Sequence, residues 1–218
     1  TRSVSAFLLN RSADLSFLTA LAREVDPNYK IVAFRAGGWA VQPFDKLKKG
    51  FLATGIKIDS STSYGIFKYL KNSYYDFREM PDKAYYRFED DVCKEENGTF
   101  LEVPITSFHR NLFGVLVDRY YGGKLHNFDK ISDGTHNRTG NGEVAERLSF
   151  IDKLKNSYKL MFSFSMQSPY TIKCALRSQK KKDLYCYIDH PKDYSKATER
   201  GISSLAGRYE SVNFIDLL

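Results

Sequence analysis

Two short apolar runs, residues 30–34 and 56–58, each follow a helix-like stretch, and that order restricts the fold more than any other property of the chain. Between Asn10 and Val25, Leu15, Leu18, Leu21, Ala22 and Val25 recur at helical spacing. Ser12 is a candidate N-cap for this helix, and Pro27 lies just beyond its end. Residues 30–34, with the run Ile-Val-Ala-Phe, read as a strand. Phe44, Leu47 and Phe51 fall on one face of a second helix over 43–54, with Gly55 placed to stop it. Residues 56–58 then form the next strand. Helix, strand, helix, strand in this order predicts parallel strands joined by crossover helices, an α/β architecture.

The pattern is less regular downstream. Residues 74–77 and 100–105 are strand-like, separated by an acidic segment and the Asn97-Gly98 turn. Residues 122–142 are rich in Gly, Asn and Asp and read as a long surface loop or insertion. A helix is expected over 142–158, with Val144, Leu148, Ile151, Leu154 and Tyr158 on one face. Strands over 160–164 and 184–188, a helix over 194–209 and a terminal strand over 212–214 complete the reading. No repeat or linker divides the chain, so residues 1–218 are expected to form one domain.

Composition narrows the function classes. Net charge is +7, but Lys and Arg are scattered and the only dense run is Lys180-Lys181-Lys182, so no nucleic-acid partner is expected. Cys93, Cys174 and Cys186 have no C-x-x-C spacing and supply neither a disulfide framework nor a zinc ribbon. No apolar run is long enough to span a bilayer and no signal peptide is visible. A cytoplasmic location is favoured, with a removed leader possible because the chain opens on Thr1.

Chemistry in α/β proteins gathers at strand ends, where loops are free to converge on a ligand. Phe34-Arg35-Ala36-Gly37-Gly38-Trp39 follows the first strand, Ile58-Asp59-Ser60-Ser61 follows the second, and Tyr187-Ile188-Asp189-His190-Pro191-Lys192 follows a late one. Arg35 is permanently charged and can fork onto a carboxylate, Asp59 being one candidate in a structural ion pair. Histidine is the side chain whose ordinary pKa lies nearest neutrality, so His190 suits proton donation, or is a plain loop residue before Pro191. Trp39 either stacks on a sugar or covers an edge of the core.

In order, "FRAGGW", "GIKIDSS", "FLEVPI" and "YIDHPKD" resemble the polysaccharide deacetylase (NodB-homology, carbohydrate esterase 4-like) family, most closely its bacterial surface-polysaccharide branch. The resemblance implies a distorted (β/α) barrel of about seven strands, incomplete here at its N-terminal side. It implies a hydrolase that removes acetyl groups from a carbohydrate, using a divalent metal, with zinc favoured. Carried over residue by residue, Arg35 matches the arginine that orients the family's catalytic base. Asp59 matches the aspartate of its fourth motif, and His190 matches its general acid. Trp39 is the expected substrate-binding residue. The family's two metal motifs have no match, because the 34 residues before Arg35 contain no histidine. No metal ligand is therefore assigned, and the metal is expected only if those motifs exist. The alternative is a non-catalytic carbohydrate-binding barrel. His109, His126 and His136 show no metal-binding spacing, and "FEDD" at 88–91 is read as a solvated acidic turn.

Overall fold

A computed structural model describes residues 12–70, 73–121, 159–165, 167–178 and 182–218. The first half follows the helix–strand alternation. Helix α1 (Ser12–Arg23) leads to strand β1 (Ala33–Phe34), and helix α2 (Asp45–Thr54) to β2 (Ile58–Asp59). Gly55 ends α2 in the left-handed conformation, φ 74°, where a residue without Cβ carries no steric penalty. The expected parallel pairing is present, with Ala33 opposite Ile58 and Phe34 opposite Asp59.

After β2 the alternation stops. A hairpin of β3 (Phe67–Leu70) and β4 (Ser73–Asp76) comes next, then β5 (Tyr86–Phe88) and β6 (Phe100–Glu102). Among the described residues, no helix lies between β2 and β6. The main sheet has the order β1-β2-β6-β5, with β6 parallel to β2 and β5 antiparallel to β6. At the β5–β6 connection a Cβ on Gly98 would meet the Phe88 carbonyl oxygen at 2.1 Å, so glycine permits the close approach.

Farther on lie β7 (Ser107–His109), α3 (Leu112–Tyr120) and β8 (Lys159–Met161), with β7 and β8 forming a separate antiparallel pair. Helices α4 (Pro169–Ser178) and α5 (Lys196–Ala206) follow. Asn111 caps α3 by accepting from the Gly114 N–H at 2.7 Å. Ser195 and Thr198 form a reciprocal capping box that starts α5.

The (β/α) barrel is therefore a wrong expectation. The described chain is mixed α/β with sheets of two to four short strands and no closure. The physical reason is the stretch between β2 and β6, where a hairpin and an antiparallel strand replace the crossover helix that barrel closure needs. Three local readings also change. Residues 184–188 are extended and bonded to Thr106 and Phe162 without forming a regular ladder. The expected terminal strand is instead a 3-10 turn, Phe214–Leu217. Helices α3 and α4 went unread. The glycine-rich loop over 122–142 and the whole of the helix over 142–158 lie outside the described residues.

Strand alternation sends neighbouring side chains to opposite faces of the main sheet. Phe34 and Phe100 enter one core with Phe44, Leu47, Phe51, Phe77 and Phe88. Ala33, Ile58 and Leu101 face the other side, toward Val103, Leu184, Cys186 and Phe214. A third cluster, Phe108, Phe162, Phe164, Ile172 and Ala175, packs α4 and α5 against β8 and the residues that follow it. Among the described residues, no helix is long and apolar enough to cross a membrane.

Candidate functional site at the strand ends

The C-terminal ends of β1 and β2 lie side by side because the two strands are parallel. Arg35 leaves the end of β1 and reaches over the end of β2. Its Nε donates to the Ser60 carbonyl at 2.8 Å and its Nη2 to Ser60 Oγ at 2.7 Å. The same Nη2 donates to Cys186 Sγ at 3.2 Å. Cys186 is held in turn by Thr106, its N–H donating to Thr106 Oγ1 at 3.0 Å and its carbonyl accepting from the Thr106 N–H at 2.8 Å. One guanidinium thus ties three segments distant in sequence. The fork closes on a backbone carbonyl and a hydroxyl; the carboxylate expected there, Asp59, is not its hydrogen-bond partner.

Asp59 lies one layer below, with no solvent exposure. Its Oδ1 accepts from Ser61 Oγ at 2.7 Å and its Oδ2 from the Ser61 N–H at 3.0 Å. Ser61 Oγ also accepts from the Ala36 N–H at 2.8 Å, coupling the aspartate to the loop after Arg35. Burial pushes the Asp59 carboxyl above its ordinary value, and hydrogen bonds together with the nearby Arg35 charge offset part of that rise. Opposite Asp59 in the ladder stands Glu102, also fully buried. Glu102 Oε1 accepts from Thr62 Oγ1 at 2.7 Å.

His190 lies apart from this arrangement. It is exposed, it precedes the 3-10 turn Pro191–Asp193, and its carbonyl accepts from the Asp193 N–H at 2.9 Å. No hydrogen bond joins its side chain to Arg35 or Asp59. In the same motif Asp189 makes the contacts: it accepts from Ser163 Oγ and from the Ser165 N–H, both at 2.8 Å, and from the Phe164 N–H at 3.2 Å. Trp39 has a left-handed backbone, φ 59°, uncommon for a bulky residue. It sits half-buried against the first core, edge-on to Tyr75 at 6.0 Å between ring centroids.

A cleft of about 790 Å³ opens beside β1, an edge strand among the described residues. Arg35 and Ser60 line it, and Asp26, Asn28, Tyr29, Lys30 and Asn213 supply further polar lining. Neither His190 nor Trp39 lines it.

The described residues do not fit a divalent metal. Among them no three His, Cys, Asp or Glu side chains come together as a ligand set. The oxygens of Asp59 are engaged by Ser61 and sealed from solvent. His126 and His136 lie outside the described residues.

Sequence reasoning missed Ser60, Ser61, Glu102 and Asp189. Glu102 does leave a signal, as a lone acid inside the apolar run Phe-Leu-Glu-Val-Pro-Ile. Ser60 and Ser61 leave one too, in the unbroken hydroxyl run Ser60-Ser61-Thr62-Ser63 directly after a strand, all four of which are buried. No family model, curated protein or solved structure matches this chain.

Proposed function

We propose that this chain holds a carbohydrate in the cleft beside the end of β1. The observation that carries this reading is that Arg35 and Ser60 line a cleft whose other polar lining comes from two asparagines, an aspartate, a lysine and a tyrosine. Hydroxyl-rich ligands need many donors and acceptors on a fixed frame, and such frames are usually preformed. Arg35 is fixed by Ser60 and Cys186 before any ligand arrives, so little ordering entropy opposes binding.

The test is calorimetric titration with acetylated and de-acetylated amino-sugar oligomers. Arg35→Ala is expected to weaken binding about tenfold, the scale of one lost charge-assisted hydrogen bond. Trp39→Phe is expected to leave affinity unchanged, because Trp39 faces the core and not the cleft. Equal affinities of wild type and a folded Arg35→Ala protein overturn the site.

A second reading is removal of acetyl groups from that carbohydrate. What favours it is the tie that Arg35 makes between "FRAGGW", "KIDSS" and the extended segment leading into "YIDHPK", three of the four segments that carry the deacetylase resemblance. In that reading Arg35 orients a polar group, and Asp59, sealed below it, acts as a positioning residue through Ser61. His190 would be the proton donor from its exposed loop. Acetate release from an acetylated oligomer, with His190→Ala flattening its pH profile, is the expected result. No acetate release from a chain that binds the oligomer leaves the binding reading alone standing.

A further inference from the structure

Asp59 and Glu102 form a carboxylate pair at the strand ends, and neither reading uses Glu102 or its pairing with Asp59. They are cross-strand partners in a parallel ladder, on the face that Phe34 and Phe100 share, and both are wholly buried. Two ionised carboxylates cannot share such a place, because each would face an uncompensated like charge in a low-dielectric interior. The hydrogen-bond inventory points the same way. Both Asp59 oxygens and Glu102 Oε1 accept from neighbours, while Glu102 Oε2 is buried without a donor. A bare buried acceptor is costly, whereas a protonated Oε2 becomes a donor and Asp59 is beside it to accept.

We infer that the folded protein keeps one proton on Glu102 Oε2, shared with Asp59, and that this proton latches the ends of β2 and β6 together under the Arg35–Ser60 cluster. The surroundings decide which partner is neutral. Arg35, in the loop after β1, lies near enough to favour negative charge on Asp59. The other titratable groups facing the pair are Tyr86 on β5 and Cys93 in the loop after it. Neither supplies positive charge. Burial and the Asp59 charge both raise the Glu102 carboxyl well above its ordinary value of 4.5.

The latch makes stability depend on pH with a definite sign. Above pH 4.5 the unfolded chain releases the Glu102 proton while the folded chain keeps it. The native state then binds one more proton than the unfolded state, so stability falls as pH rises through that window and levels off above the folded value. The folding constant of wild type, relative to Glu102→Gln, is expected to fall about tenfold per pH unit there. Glutamine keeps a donor toward Asp59 and cannot titrate.

The deciding experiment is infrared and carbon NMR spectroscopy of wild-type protein labelled with carbon-13 at glutamate carboxyls. One protonated glutamate signal at neutral pH is expected, absent from Glu102→Gln. Spectra in which every glutamate is ionised at neutral pH overturn the inference. So do parallel stability–pH curves for the two proteins. Should the variant fail to fold, the wild-type spectrum decides alone.

Discussion

Phe44→Ala is expected to lower folding stability by about 3–5 kcal/mol, read as a drop in the urea midpoint with an unchanged slope. Phe44 is 2% exposed and stands just before α2. Its ring meets Phe51 of α2, Phe88 of β5 and Phe100 of β6 edge-on, at centroid distances of 5.2, 4.8 and 5.3 Å. It therefore joins the helix to the edge strand β5 and to its inner neighbour β6. Truncation removes transfer free energy, three favourable ring geometries and the volume of a ring. The cavity would stay largely open, because Phe51 and Phe100 already touch each other at 5.7 Å and are held by backbone on two sides. A domain of this kind typically has about 5–15 kcal/mol in total, so the loss is a large part of it. Phe44→Leu keeps most of the volume and is expected to cost less than half as much. Equal stability of wild type and the alanine variant would show that the rings do not form the folding core.

The ring cluster was readable beforehand only in part. The spacing of Phe44, Leu47 and Phe51 announces an apolar helix face, and those residues are buried as the period requires. Parallel pairing of β1 and β2 follows from the same local pattern, because a helix of this length between two short strands leaves few other arrangements. The barrel expectation failed where local pattern ceases to constrain topology. Residues 60–99 carry hairpin signals too weak to outweigh the resemblance, and strands of two to four residues leave little periodicity to read. At the site, Arg35 was legible as a strand-end cation, but its partners were not. Ser60 lies 25 residues away and Cys186 lies 151 away, and only packing brings them within hydrogen-bond reach. Asp189 and His190 illustrate the same limit in adjacent positions. Their order in the motif does not say which side chain turns inward, and the carboxylate, not the imidazole, takes the loop donors.

Asp118→Ala is the second substitution expected to be severe, at about 3–5 kcal/mol, and it acts through charge rather than volume. Asp118 is 5% exposed near the end of α3. Its Oδ1 accepts from the Ser168 N–H at 2.8 Å and from Thr171 Oγ1 at 2.7 Å, and its Oδ2 pairs with Arg110 Nη1 at 2.9 Å. Ser168 and Thr171 bracket the start of α4, where a negative charge also complements the helix dipole. One carboxylate therefore docks two helices and neutralises an arginine whose side chain is only 14% exposed. Removing it strands two buried donors and leaves that arginine without its carboxylate. Asp118→Asn retains an acceptor for Ser168 and Thr171 and loses only the charge, so it should fall between wild type and alanine. Adding Arg110→Ala to Asp118→Ala separates the two contributions in a double-mutant cycle. If the ion pair dominates, the double variant should be no less stable than Asp118→Ala alone, because the arginine that lost this ion pair is no longer there. If the helix-start hydrogen bonds dominate, the two losses should add.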